Sequence, residues 1–179
     1  HPGGVYVRGK SLTLASWFLL TGDTAFVSRT VIDSVVGDPC GGSSSCAGDA
    51  VIEFAKDANG SAVIGLTLQH GEDGVRSHAI ADIAFCHILG NHDGADYQSG
   101  SDGTFRNNLF ANNLDDGVDV NGRTNVRVLN NVIRDNHQDG VEFRLYPYVG
   151  PALEIDFIGN RITGNGGDGI QLIDYPDTS

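Results

Sequence analysis

The strongest constraint on the fold is an Asp-Gly step that recurs along most of the chain. Its glycines are Gly74, Gly94, Gly117, Gly140 and Gly169, so the successive intervals are 20, 23, 23 and 29 residues. A short segment with alternating apolar positions follows most of these glycines. Such period-two segments, separated by Gly, Asn and Asp, predict short strands joined by tight turns.

Two asparagine columns repeat in register with the last three of these steps. They lie nine and four residues before each glycine, at Asn108, Asn131 and Asn160 and at Asn113, Asn136 and Asn165. A coil of roughly 20 to 24 residues cannot bury its own apolar side, whereas stacked coils can bury it. Asparagines at a fixed position of stacked coils can hydrogen-bond as an amide ladder. We therefore predict an all-β protein, a parallel β-helix of about six to seven coils. Residues 1–179 form one domain, which is either a whole solenoid or a piece of a longer one.

The composition excludes several classes of partner. The 179 residues include 25 Gly and only 11 Lys and Arg against 23 Asp and Glu, for a net charge of -12. An acidic chain repels phosphate backbones and anionic lipid, so we expect no nucleic-acid partner. No apolar run is long enough to cross a bilayer, so we expect no membrane insertion.

The cysteines bear on the cellular compartment. Cys40 and Cys46 flank a Gly-Gly-Ser-Ser-Ser loop, which could close as a small disulfide or remain a reduced pair. A disulfide would favour a secreted or cell-surface location. Cys86 stands inside an apolar stretch and is predicted to be a buried thiol.

The repeat units resemble a known family. FRNNLFANNLDDGVDV, VLNNVIRDNHQDGVEF and FIGNRITGNGGDGIQL are similar to the repeat of right-handed parallel β-helix proteins, the pectate-lyase-like superfamily. The resemblance extends from about Gly48 to the end, and residues 1–36 are expected to form an irregular opening coil. It implies an exported protein with a polysaccharide partner. The superfamily also contains epimerases, phage tailspikes and non-enzymatic surface proteins, so the fold alone does not assign an activity.

Strand alternation predicts which side chains face outward. After each glycine the first and third residues should face the core, and the second and fourth should face out. The second position, coil by coil, is Glu53, Arg76, Asp96, Asp119, Glu142 and Gln171, which we call the outward row. The fourth position is Ala55, His78, Gln98, Asn121, Arg144 and Ile173. Carboxylates about 5 Å apart repel one another unless a cation, a proton or a basic side chain intervenes. The row therefore predicts a cation or glycan site, with a solvated acidic face as the alternative.

The resemblance implies a metal-assisted lyase with Ca²⁺ as its cofactor. Asp115-Asp116-Gly117-Val118-Asp119 resembles the calcium-binding acid cluster of family 9 pectate lyases. The predicted metal ligands are Asp96, Asp115, Asp119 and Glu142. The predicted base is Arg76, His78 or Arg144, because neither Lys10 nor Lys56 lies on this face to match that family's lysine. Asp116 belongs to the repeated Asp-Gly step, which favours a structural role.

The predicted substrate-binding residues lie beside the acids and in one longer turn. They are Gln98, Asn121, Tyr146 and Tyr148. The two tyrosines fall in the 29-residue interval, where they could stack on sugar rings or form a turn stiffened by proline.

Two other functions remain open at this stage. A glycoside hydrolase would use two carboxylates, about 5 Å apart for retention or about 6.5 to 9.5 Å apart for inversion. A non-catalytic surface or filament protein would use the solenoid for adhesion or assembly. The chain stops soon after the strand at Gly169 without a polar cap. That strand edge favours end-to-end self-association or further coils.

Overall fold

The computed structural model describes residues 4–34, 50–146 and 148–174. Its strands are β1 (Val5–Val7), β2 (Thr13–Ala15), β3 (Val31–Asp33), β4 (Ile52–Phe54), β5 (Ser61–Ile64), β6 (Thr67–Gln69), β7 (Asp73–Ser77), β8 (Ala81–Ala84), β9 (His87–Leu89), β10 (Asp93–Tyr97), β11 (Asp102–Arg106), β12 (Leu109–Ala111), β13 (Val118–Asn121), β14 (Asn125–Leu129), β15 (Val132–Arg134), β16 (Val141–Arg144), β17 (Asp156–Ile158), β18 (Arg161–Thr163) and β19 (Ile170–Ile173). Cys40 and Cys46 lie outside the described residues, so their predicted pairing stays a prediction.

The strands form three parallel sheets. The first sheet has the order β1-β4-β7-β10-β13-β16-β19, the second has β17-β14-β11-β8-β5-β2, and the third has β18-β15-β12-β9-β6-β3. Each strand pairs with the strand one coil away, because the chain passes through all three sheets before it returns to the first. The described residues thus complete six coils and begin a seventh, which confirms the predicted parallel solenoid.

The opening coil is irregular, as expected, because it contains two short helices. These are α1 (Phe18–Thr21) and α2 (Ala25–Arg29), which lie between β2 and β3. The ring of Phe18 packs 4.8 Å from the ring of Phe85. Thr67 Oγ1 donates a 2.9 Å hydrogen bond to the carbonyl of Val27. Among the described residues, no helix is long and apolar enough to cross a membrane.

The core lies between the three sheets and follows the predicted alternation. Val75, Tyr97, Val120 and Phe143 are all buried at inward positions of the first sheet. The Tyr97 hydroxyl is satisfied by a 2.7 Å hydrogen bond to the carbonyl of Ala81. Cys86 is a free, buried thiol, as predicted, and burial raises its pKa to about 11.

The two asparagine columns form the predicted amide ladders. In one, Asn108 Nδ2 donates to Asn131 Oδ1 at 3.0 Å, and Asn131 Nδ2 donates to Asn160 Oδ1 at 3.1 Å. In the other, Asn113 and Asn136 make the corresponding 2.9 Å bond. The ladder oxygens also accept backbone N–H bonds, such as Asn108 N to Asn131 Oδ1 at 2.9 Å. These bonds satisfy polar groups inside the turns, where water is excluded.

Removing a central ladder asparagine should therefore destabilise the fold. Asn131→Ala leaves the buried backbone N–H of Asn108 and the carbonyl of Phe105 without their side-chain partners. We expect the free energy of unfolding to fall by about 2–4 kcal/mol, measured by urea denaturation. Asn125→Ala is the matched control, because Asn125 is exposed and accepts one bond from Glu154 N. Equal losses in the two variants would contradict a structural role for the ladder.

Candidate functional site

The outward row has the predicted register. Strand pairing places Glu53 beside Arg76, Arg76 beside Asp96, Asp96 beside Asp119, Asp119 beside Glu142, and Glu142 beside Gln171. Three of its four acids are nevertheless largely withdrawn from solvent, with exposed fractions of 8 % for Asp96, 9 % for Asp119 and 6 % for Glu142. The alternative of a solvated acidic face therefore does not describe these residues.

In the lower half of the row, from Glu53 to Asp119, polar side chains contact the carboxylates. Arg76 Nη2 lies 2.6 Å from Asp73 Oδ2, and Arg76 Nε lies 3.6 Å from Asp96 Oδ2. Gln98 Nε2 donates to Asp96 Oδ2 at 2.6 Å. Asn121 Nδ2 bridges Asp96 Oδ1 at 3.0 Å and Asp119 Oδ2 at 3.1 Å. The amide nitrogens of both predicted substrate-binding residues here, Gln98 and Asn121, are thus engaged with the row's own carboxylates.

Asp119 is the least neutralised acid of the row. Its Oδ1 is buried and has no hydrogen-bond partner. Burial raises the pKa of its carboxyl to about 8, with the charge of Asp96 acting in the same direction. Asp119 therefore favours a proton or a cation at neutral pH.

The upper half of the row opens into a groove of about 380 Å³, which we call the acidic groove. It is lined by Asp115, Asp116, Gln138, Glu142, Arg144, Tyr146, Gln171 and Ile173. Arg144 Nη2 donates to Glu142 Oε1. Tyr146 is 47 % exposed and lines the groove. Tyr148 instead donates a 2.9 Å hydrogen bond to the carbonyl of Pro151 within its own loop.

Three buried carboxylates converge here, and two of them, Asp116 and Glu142, line the groove. Candidate ligand oxygens of Asp116, Asp139 and Glu142, the carboxylate cluster, all lie within 4.8 Å of one another. Asp116 Oδ1 accepts a 2.7 Å bond from the backbone N–H of Asp139, so it has the structural role that the repeat predicted. Burial raises the pKa of Asp116 to about 7, and the charges of Asp115 and Glu142 add to this effect. Burial also raises the pKa of Glu142, although Arg144 opposes the shift.

The carboxylate cluster fits a hard divalent cation. Its donors are all carboxylate oxygens, and oxygen ligands in flexible geometry are those that Ca²⁺ prefers. The structure nevertheless distributes the four predicted metal ligands over different places. Glu142 belongs to the carboxylate cluster, Asp96 and Asp119 lie together lower in the row, and Asp115 lies near His92 and Asp93.

The three predicted bases lie in different parts of the row. Burial acts to lower the pKa of Arg76, but Asp73 and Asp96 outweigh it and raise the value above the ordinary one. In Arg144, burial is similarly outweighed by Asp119 and Glu142. His78 Nε2 lies 3.7 Å from Glu53 Oε1, in the lower part of the row. Arg144 is the one predicted base that lines the acidic groove.

Sequence reasoning missed Asp139, Asp93 and His92 as site residues. The predicted row followed the second and fourth positions after each glycine, whereas these residues lie at the Asp-Gly steps or directly before one, where each meets a partner one coil away. Asp93, Asp116 and Asp139 are each 23 residues apart, and so are His92 and Asp115. The coil length itself was the signal that could have found them.

Fold and site together define a parallel β-helix protein with an acidic groove along one face. Comparison with known families gives the same class, since residues 44–178 match the family described as a right handed beta helix region. The match spans about three quarters of the chain, and the protein belongs to this right-handed β-helix family. The predicted fold class and the resemblance to right-handed parallel β-helix proteins are thus confirmed. No curated protein and no solved structure matches the chain significantly.

Proposed function

We propose that this protein is an exported, polysaccharide-active β-helix protein whose glycan lies in the acidic groove. The observation that carries this proposal is the convergence of three buried carboxylates beneath a groove with an exposed tyrosine and an arginine on its rim. Buried acids with raised pKa values are suited to proton transfer or cation binding rather than to solubility. An aromatic ring beside them offers an apolar face for a sugar.

The preferred activity is a calcium-assisted lyase acting on a uronate-containing glycan. Asp116, Asp139 and Glu142 would hold the ion. The positive charge held there would neutralise the uronate carboxylate and make the C5 proton more acidic. Arg144 is the basic group best placed to take this proton. The electron pair of the broken C5–H bond would then form the C4–C5 double bond and expel the C4 oxygen, which takes a proton from water as it leaves.

The charge balance around Arg144 sets a condition on this assignment. Asp119 and Glu142 raise the pKa of Arg144 against the effect of burial, so it is a poor base while they carry full negative charge. Positive charge held by the neighbouring carboxylates would weaken this effect. Base strength at Arg144 is therefore expected to depend on the occupancy of the carboxylate cluster.

Glycoside hydrolysis is the second candidate, and the proximity of Asp116 and Glu142 favours it. A carboxyl with a pKa of about 7 can act as a general acid near neutrality, while a neighbouring carboxylate acts as nucleophile or base. This route needs no proton removal by an arginine.

A non-catalytic assembly role is supported by the last described strand. Ile170 and Leu172 of β19 are 50 % and 63 % exposed, although the equivalent residues of earlier coils are buried. A further coil, or a second copy of the chain, would cover this apolar edge.

A polysaccharide panel assayed with Ca²⁺ and with chelator tests these candidates. A lyase releases unsaturated products, seen by ultraviolet absorbance, only when Ca²⁺ is present. A hydrolase releases reducing ends alone, with or without chelator. Failure to bind or cleave any glycan would overturn the proposal and leave the assembly role.

Substitutions in the groove should reduce turnover sharply. Glu142→Gln removes a carboxylate from the cluster and should lower kcat by about 100-fold or more. Tyr146→Ala should weaken glycan binding by about tenfold with a smaller change in kcat, because it removes only ring stacking. Tyr148→Phe is the matched control, since its hydroxyl bonds within the loop. Full activity of Glu142→Gln with an intact circular dichroism spectrum would exclude the carboxylate cluster as the reaction centre.

A further inference from the structure

A second cluster of ligand-type side chains lies beside the acidic groove and contains a nitrogen donor. His92 Nδ1 is 3.5 Å from Asp93 Oδ2 and 3.9 Å from Asp115 Oδ2. Candidate ligand atoms of these three residues all lie within 4.8 Å of one another. We call these residues the His92 cluster.

The imidazole nitrogen is the unusual member of this cluster. His92 Nδ1 is buried and has no hydrogen-bond partner, although two carboxylates flank it. Both separations from carboxylate oxygen exceed hydrogen-bond length. A buried polar atom without a partner costs free energy, which a ligand bound at that atom would recover.

The backbone holds these three residues in place. His92 N donates to the carbonyl of Gly71 at 3.1 Å, Asp93 N to that of Glu72 at 2.9 Å, and Asp115 N to that of His92 at 2.8 Å. The residues therefore belong to two stacked coils joined by regular hydrogen bonds. A site built on such a scaffold requires little backbone rearrangement when it binds an ion.

The distances fit a first-row transition metal. Bonds of about 2.0 to 2.2 Å to nitrogen and oxygen place neighbouring ligand atoms of a tetrahedral ion roughly 3.4 Å apart. Small side-chain rotations bring 3.5 and 3.9 Å to this value. One imidazole and two carboxylates suit Zn²⁺ or a similar ion, whereas the all-oxygen carboxylate cluster suits Ca²⁺.

We propose that His92, Asp93 and Asp115 form a transition-metal site separate from the carboxylate cluster. Three protein ligands leave a fourth position open for water or a substrate oxygen. The His92 side chain is 41 % exposed and Asp115 lines the acidic groove, so this position is open to solvent at the groove's edge. Metal binding at this site does not depend on any catalytic activity of the protein.

Metal titration of the purified full chain tests this site. We expect wild-type protein to bind one Co²⁺ with the visible absorption of a low-coordinate ion, and Zn²⁺ to displace it. His92→Gln removes the nitrogen ligand and should weaken Co²⁺ binding by at least about tenfold. Asp115→Asn should weaken it as well. Calorimetric titration with Ca²⁺ should give the same heat in His92→Gln as in wild type.

Two further variants separate this site from its surroundings. His137→Gln changes an exposed histidine two coils further on and should leave Co²⁺ binding unchanged. Glu142→Gln should weaken Ca²⁺ binding and leave Co²⁺ binding intact. The proposal is overturned if wild-type protein binds no Co²⁺, or if His92→Gln binds it as tightly as wild type. Either result would mean that the imidazole only forms ion pairs with the two aspartates.

Discussion

The protein should lose thermal stability as the pH rises from about 5 to about 8. Burial raises the pKa values of Asp93, Asp116 and Asp119 to about 6, 7 and 8, above the ordinary value of 3.8. A carboxyl with a higher pKa in the folded chain binds its proton more tightly there than in the unfolded chain. The resulting stabilisation is full below the unfolded value and is lost as the pH rises through the folded values.

The expected size of this effect is several kcal/mol. One pKa unit corresponds to about 1.4 kcal/mol, but neighbouring carboxyls titrate together, so the separate shifts do not add. We expect a loss on the order of 3–5 kcal/mol and a fall in Tm of about 10 °C at constant ionic strength. Asp73 contributes in the same direction, because burial raises its pKa to about 8, although its 2.6 Å ion pair with Arg76 opposes the shift.

A neutral substitution provides the sharpest form of this experiment. Asp119→Asn removes one buried charge, so its Tm at pH 8 should exceed that of wild type and its pH dependence should be weaker. Asp82→Asn, at an exposed position of the second sheet, should keep the wild-type slope. Saturating Ca²⁺ should raise the wild-type Tm at pH 8, because an ion that binds only the folded state stabilises it. A Tm that is constant or increases with pH would show that these acids are already neutralised.

Gly117→Ala should destabilise the protein far more than the same change at Gly169. A methyl group on Gly117 would lie 2.6 Å from the carbonyl oxygen of Gly140 and 2.6 Å from Ile133 Cγ2. The coils cannot separate locally, since Gly117 N and Val118 N both donate to carbonyls of the next coil. We expect a loss of about 3 kcal/mol in the free energy of unfolding.

Gly169 occupies the same position of the repeat and serves as the control. Its added methyl group would meet nothing closer than Ile162 Cγ2 at 3.7 Å, an ordinary contact. Gly169→Ala should therefore change the free energy of unfolding by less than about 0.5 kcal/mol. Urea midpoints of the two variants provide the comparison. Similar midpoints would mean that the glycines are retained for turn geometry rather than for close stacking.

The repeat was sufficient to predict the solenoid, the register of the outward row and the amide ladders. A coil of constant length places residues 23 apart in the chain beside each other in space, and strand alternation decides which of them face the core. The positions of Asp96, Asp119 and Glu142 on one face followed from these two rules alone. Turns with unequal lengths, such as the one that contains Tyr146, limited the prediction because their direction depends on packing.

The sequence by itself determined which residues share a column of the solenoid. Only the tertiary structure decided which of those columns converge and how far each acid is withdrawn from water. Asp116 and Asp139 belong to a turn column and Glu142 to a strand column, yet their carboxylates meet at one groove. Asp115 is directed to His92 instead, where two coils stack. Side-chain direction at a turn and burial by neighbouring coils depend on three-dimensional packing, which one-dimensional periodicity does not contain.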